Sequence, residues 1–149
     1  MTTPHSPGSP RWRPAALLAP LVLVLGCHAA SNPQRLVHAE VKPNLNGIRA
    51  AQIAYFSVHH TYVEVPAPVP RTAETLDPRA VPWPVGSGFD QLDWAPAGPV
   101  HGAYWIELTN GGEGFVAHAL IDADGDRNPA HYTATRDAEA KAITPDGVF

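Results

Sequence analysis

Three aspartates at alternating positions are the residues best suited to bind an ion. They are Asp122, Asp124 and Asp126, and a hard cation such as Ca²⁺ binds several carboxylate oxygens at once. The segment is not an EF-hand loop, because the sixth and twelfth positions counted from Asp122 hold Arg127 and Thr133 instead of glycine and glutamate. An acidic hairpin turn explains the same residues, since Asp-Gly favours turns for backbone reasons alone. The sequence favours the turn and leaves Ca²⁺ as the one cofactor candidate.

The eight histidines suggest a second kind of metal chemistry. His59 and His60 are adjacent and point to different sides of a helix, so they cannot easily share an ion. His118 and His131 lie on neighbouring predicted strands and can face each other. A zinc site needs three or four ligands, and the spacing places no third one, so packed or solvated histidines are the better interpretation.

Recognisable catalytic motifs are missing from the sequence. It contains no glycine-rich phosphate loop, no serine elbow and no second cysteine beside Cys27. We therefore predict a protein that is not an enzyme and has no small-molecule substrate.

The single cysteine lies at the end of a predicted export signal. The first fourteen residues carry two arginines and no acid, and an apolar segment runs from Ala15 to Gly26. This segment is too short for a bilayer, which requires about 20 apolar residues, and Pro20 interrupts it. Val24-Leu25-Gly26-Cys27 resembles the bacterial lipobox, whose cysteine is lipidated. We expect residues 1–27 to be a lipoprotein-type signal peptide and Cys27 to anchor the protein in a membrane; an ordinary export signal or an uncleaved anchor are the alternatives.

Charge and the residue after Cys27 bear on partners and location. From Cys27 onward, without Arg11 and Arg13, the chain has eight Lys and Arg residues and fourteen Asp and Glu residues. Its formal charge is therefore about −6. This charge argues against nucleic acid, which needs a clustered basic surface. His28 stands where an aspartate retains enterobacterial lipoproteins at the inner membrane. By that resemblance we expect the outer membrane, with the domain in the periplasm or at the cell surface; the sequence does not indicate the protein partner.

We predict a tether over residues 28–39 and one domain over residues 40–149. The domain opens with an amphipathic helix from Glu40 to His60, whose inward face recurs at three- and four-residue steps: Val41, Leu45, Ile48, Ala51 or Gln52, Tyr55, and Val58 or His59. Pro43 allows two outcomes, a continuous kinked helix from Pro33 or a weak first piece before a firmer helix from Pro43.

Strands are expected after a long loop. Residues 66–88 are rich in proline and predict a loop. Strand composition and turn signals mark Val100–Leu108, Phe115–Ile121 and Ala130–Arg136, with a last edge strand within Ala140–Phe149. One long N-terminal helix packed on three or four antiparallel strands gives an α+β fold.

Aromatic residues are the candidates for partner binding. Trp83 lies between two prolines in the loop, and Trp94 and Tyr104 follow it. Trp83 either contributes to a partner-binding patch or pins the loop onto the domain, and the large apolar area of an indole favours the second alternative.

Several motifs in order resemble the type IV pilins, especially the deltaproteobacterial kind. The helix resembles the second half of the long first pilin helix at Glu40, Lys42, Asn44, Leu45, Ile48, Ala51, Gln52, Ala54, Tyr55, Phe56, Thr61 and Tyr62. A second motif matches at Phe89, Leu92, Trp94, Pro96 and Gly98, and the segment from Gly114 to Asp126 resembles the final pilin hairpin. The resemblance implies a pilin-head-like α+β domain.

The sequence also departs from pilins in a way that changes the expected function. The short leader, the motif similar to F-T-L-I-E and the unbroken apolar half-helix are not found before Glu40. We therefore expect a lipid-anchored envelope protein with a structural or adhesive role. The alternatives are a divergent minor pilin or pseudopilin that keeps its apolar N-terminus, and a periplasmic Ca²⁺-binding module.

Overall fold

One long helical segment, Pro33 to His59, packs against the sheet. The computed structural model describes residues 1–2 and 32–149, and the helical segment consists of α1 (Pro33–Leu36), a π-helical turn (Val37–Val41) and α2 (Lys42–His59). Asn32 caps its start by accepting a hydrogen bond from the Gln34 amide, and Pro33 occupies a first-turn position where its missing N–H costs nothing. None of the helices in the described part of the chain is long and apolar enough to cross a membrane.

The helical segment corrects two predictions. Residues 33–39, assigned to a tether, are helical, so the helix begins at residue 33 and not at Glu40, and it does not lie at the N-terminus of the chain. The segment continues through Pro43, because the π-helical turn immediately before it accommodates a residue that lacks the N–H of an α-helical hydrogen bond. The helix ends at His59, and His60 caps it: its N–H donates to the Phe56 carbonyl, and its left-handed conformation (φ 55°) turns the chain out of the helix.

One face of the helix is fully buried. Its residues recur at steps of three and four, as the sequence predicts, and are Val37, Val41, Leu45, Ile48 and Gln52. Tyr55 is half-buried, whereas Val58 is 70% exposed and His59 is exposed. The buried face therefore ends about one turn earlier than the periodicity predicts.

The sheet is a five-stranded antiparallel meander in chain order. Its strands are β1 (Val65–Val69), β2 (Ala103–Thr109), β3 (Gly114–Ile121), β4 (Ala130–Thr135) and β5 (Lys141–Ala142). Alternate β3 residues from Phe115 to Ile121 are buried towards the helix, and those between them lie on the opposite, outer face. The α+β class is thus confirmed, but the predicted three or four strands are five.

The unexpected strand is β1, which overlaps the first residues of the predicted loop. Val65 pairs with Ile106 and Val69 pairs with Tyr104, although Pro66 and Pro68 lie between them. Proline cannot donate to a ladder but is tolerated at an edge, and β1 is an edge strand. The loop that remains contains two short 3₁₀ turns before β2, Ala73–Thr75 and Phe89–Leu92.

Candidate functional site

The three predicted acidic residues lie together in the turn between β3 and β4. Their carboxylate oxygens lie within 4.8 Å of one another. Asp122 is 2% exposed and accepts hydrogen bonds from the amides of Gly125 (2.9 Å) and Arg127 (3.2 Å). Asp124 and Asp126 are exposed, and each also accepts a backbone amide two residues on. The aspartates thus build an ordered turn, and three carboxylates this close can bind a metal ion.

The three aromatic candidates are also brought together, in a cluster on the helix side of the sheet. Trp83 stands edge-on to Trp94 with ring centroids 5.5 Å apart, and Tyr104 lies 6.0 Å from Trp83 and 6.5 Å from Trp94. Phe89 closes the cluster at 5.3 Å from Trp83. Tyr104 is fully buried and both tryptophans are half-buried. These contacts hold the loop around Trp83 on the domain.

The carboxylate of Glu40, which the sequence marked only as a position of the pilin resemblance and not as a site, links the helix to the sheet beside this cluster. Glu40 lies in the π-helical turn and its side chain is 13% exposed. Its oxygens accept the amides of His101 (2.9 Å) and Gly102 (2.9 Å), the Tyr104 hydroxyl (2.9 Å) and His101 Nδ1 (2.6 Å). Asn44, one turn further along, donates to the same Tyr104 oxygen at 3.1 Å.

The Tyr104 hydroxyl is held in its neutral form at this junction. Burial of the ring, and then the negative charge of Glu40, raise the Tyr104 pKa far above its ordinary value near 10. The Glu40 partners lie more than sixty residues away in the chain, so no local pattern marks them. The network fixes helix against sheet, and it offers a stable acceptor, not a reactive group.

The outer face of the sheet carries a second polar cluster, made of two histidines, a tryptophan and a glutamate. His118 Nδ1 lies 3.0 Å from His131 Nε2, and the Trp105 ring stacks on His118 with centroids 4.7 Å apart and an angle of 8°. The Trp105 Nε1–H donates to Glu107 at 2.9 Å, and the other Glu107 oxygen lies 3.8 Å from His118 Nε2.

Both histidines of this outer cluster favour the neutral form. Burial lowers the pKa of His118; the negative charge of Glu107 opposes this shift, and the neighbouring His131 adds to it. Burial also lowers the pKa of His131, again against the charge of Glu107. His118 Nε2 is buried and has no hydrogen-bond partner. The two histidines face each other because of strand alternation, as the sequence allows. Trp105 and Glu107, which complete the cluster, could not be identified from the spacing of the histidines.

The remaining predicted site residue, Cys27, lies outside the described residues, so its lipidation stays a prediction. No protein-family model, no curated protein and no solved structure matches this chain.

Proposed function

We propose that this chain is an exported, lipid-anchored envelope protein whose domain acts through protein contacts, in a structural or adhesive role and without catalysis. The observation that carries the proposal is the position of the single cysteine, Cys27, directly after an apolar segment and a small residue. Lipidation would add several acyl chains, which is enough for stable anchoring where a single chain is marginal.

The short distance between Cys27 and the domain supports an anchored role. The helix cap, Asn32, follows the cysteine by only five residues, which reach at most about 17 Å when extended. An acylated Cys27 would therefore hold the start of the helix close to the membrane surface. With His28 following the cysteine, the outer membrane is the proposed location, and the domain would face the periplasm or the cell surface.

A pilin-like organisation is the structural part of the proposal. The helix residues that carry the resemblance include Leu45, Ile48 and Gln52, and all three are buried against the strands. The order of one long helix followed by an antiparallel meander is compatible with a pilin head.

Metabolic labelling tests the anchor. Cells producing the wild-type chain should incorporate radiolabelled palmitate into it, and Cys27→Ala should lose the label because no other cysteine is present. Ser31→Ala, four residues away, is the matched control and should keep it. An unlabelled wild-type protein would reject lipidation.

The competing assignment is a divergent minor pilin or pseudopilin that keeps its apolar segment, Ala15 to Gly26, as an anchor. It requires that the mature protein retain residues before Cys27 and that it co-purify with sheared pili. If the chain is absent from sheared pili and Cys27 is acylated, this assignment is excluded.

A Ca²⁺-binding role is a second candidate, supported by the 4.8 Å grouping of the three aspartates. Oxygen ligands in a flexible turn suit Ca²⁺ better than a transition metal. Calorimetry should then show saturable Ca²⁺ binding that weakens in Asp124→Asn and Asp126→Asn, two exposed positions, and is unchanged in Asp137→Asn. A flat titration at millimolar Ca²⁺ would end this idea.

A further inference from the structure

The outer sheet face holds a group of side chains that the proposed function leaves unexplained. In the strand register Trp105 lies opposite His118, and His131 lies opposite Leu120, two residues further along β3. The helix packs on the other face of the sheet, and on the outer face Trp105, His118 and His131 are half-buried while Glu107 is exposed. Two imidazoles and a carboxylate are therefore collected at one place on the sheet.

The distance between the two imidazoles suits shared coordination. Nitrogen ligands bind zinc at about 2.0 to 2.1 Å, so two of them on one tetrahedral ion stand roughly 3.3 Å apart. His118 Nδ1 and His131 Nε2 are 3.0 Å apart. The two nitrogens are therefore already close to the separation that one shared ion requires.

Glu107 stands where a metal-binding histidine usually finds its supporting carboxylate. Histidine ligands commonly donate their second ring N–H to a carboxylate, which fixes the tautomer and orients the ring. The Glu107 Oε2 lies 3.8 Å from His118 Nε2, and this nitrogen is buried without a partner. The Glu107 side chain is 59% exposed and has room to approach, which would place the proton on Nε2 and leave Nδ1 free for an ion.

We propose that His118 and His131 bind one divalent transition-metal ion, Zn²⁺ or Cu²⁺, on the outer face of the sheet, with Glu107 orienting His118 and water completing the coordination. Imidazole ligands suit these ions, whereas the all-oxygen aspartate turn suits Ca²⁺. The two sites lie at different places and have different ligand chemistry, so they are separable by experiment. This inference does not depend on lipidation or on a pilin-like role.

Calorimetry with Zn²⁺ on the full chain, stripped with chelator beforehand, tests the ligands. We expect a saturable site whose affinity falls at least tenfold in His118→Gln and in His131→Gln, and 10- to 100-fold in Glu107→Gln, as for other supporting carboxylates. The matched control is the double variant His38→Gln/His59→Gln, which removes two exposed histidines and should bind like the wild type. An excess of Ca²⁺ should not compete.

Cu²⁺ quenching of tryptophan fluorescence gives a second, local readout. Because Trp105 stacks on His118 at 4.7 Å and lies 5.5 Å from His131, bound Cu²⁺ should quench it strongly, and Trp105→Phe should remove most of the saturable quenching. Circular dichroism and the melting temperature check that each variant is folded. If one histidine variant does not fold, the Zn²⁺ affinities of the other histidine variant and of Glu107→Gln test the proposal. Zn²⁺ affinity equal in the wild type, His118→Gln and His131→Gln, or no saturable binding by the wild type, would overturn the proposal.

Discussion

The carboxylate of Glu40 joins the helix to the start of β2. It is nearly enclosed and accepts hydrogen bonds from two backbone amides, a tyrosine hydroxyl and a histidine ring nitrogen. Such a group stabilises the fold chiefly because its partners would otherwise be buried without an acceptor. At the residue scale, Glu40 is therefore the side chain whose loss should cost the most outside the apolar core.

We expect Glu40→Ala to lower the free energy of unfolding by about 2 to 4 kcal/mol, because it leaves the Gly102 amide and the Tyr104 hydroxyl without their acceptor. Urea denaturation followed by circular dichroism measures this. Glu64→Ala, at an exposed position, serves as control and should change stability by less than about 0.5 kcal/mol. Equal effects of the two substitutions would contradict a structural role for the network.

The raised pKa of Tyr104 predicts a loss of stability at alkaline pH. The folded pKa lies above the unfolded value near 10, so the folded state keeps a proton that the unfolded state loses, and stability present below pH 10 is lost as pH rises beyond it. In Tyr104→Phe this decline should be shallower. Absorbance at 295 nm should show fewer than four of the four tyrosines ionising near pH 10 while the protein is folded; four equivalents from the native state would contradict the prediction.

At the scale of elements, two further contacts hold the helix against the segments that precede β1 and β2. Gln52 is completely buried, and its amide pairs with both backbone groups of Val63: Nε2 donates to the carbonyl at 2.6 Å, and the Val63 amide donates to Oε1 at 3.0 Å. Gly47 lies against Trp94, where an added Cβ would come within 2.7 Å of the indole nitrogen. The helix is thus tied to the segment before β1 and to the aromatic cluster.

Gly47→Ala should destabilise the protein although alanine favours helices by about 1 kcal/mol. The added methyl would displace Trp94 from a cluster in which Trp83 and Phe89 hold it, and overpacking typically costs 1 to 3 kcal/mol. The melting temperature should fall in Gly47→Ala. In Gly98→Ala, where nothing lies near the added Cβ, it should stay unchanged. A higher melting temperature in Gly47→Ala would show that the tryptophan moves freely.

Gln52→Leu should lower the free energy of unfolding by about 2 to 3 kcal/mol. Two backbone groups of Val63 lose their hydrogen-bond partners, while the leucine keeps a similar side-chain volume. Hydrogen exchange of the Val63 amide, measured by NMR, should accelerate by more than that of the β3 amides. An unchanged Val63 exchange rate would contradict this assignment of the hydrogen bond.

Features that depend on local patterns could be predicted from the sequence, whereas those that depend on long-range contacts could not. The periodicity predicted the buried helix face at Leu45 and Ile48 and left Ala51 or Gln52 open, and the predicted strands allowed His118 and His131 to face each other. Both inferences depend on residues close in the chain. β1 was missed because Pro66 and Pro68 indicate a loop unless the strand is known to lie at an edge. The partners of Glu40 depend on contacts across sixty residues, which no local pattern encodes.

At the scale of the whole molecule, the helix and sheet form one packed domain that starts at Asn32, close to Cys27. Its two candidate metal sites lie on the sheet side, the aspartates in the β3–β4 turn and the histidines on the outer face. If Cys27 is acylated, the anchor would restrain the helix end, on the side of the domain where Asn32 begins the helix.

Mass spectrometry of the mature N-terminus tests the central proposal most directly. The protein, isolated from membranes of a bacterium that lipidates exported cysteines, should yield an N-terminal peptide that begins at Cys27 and carries a diacylglyceryl mass. The Cys27→Ala variant should not yield this peptide. A mature chain that retains residues before Cys27, or begins at an unmodified residue after it, would contradict the lipid-anchored assignment.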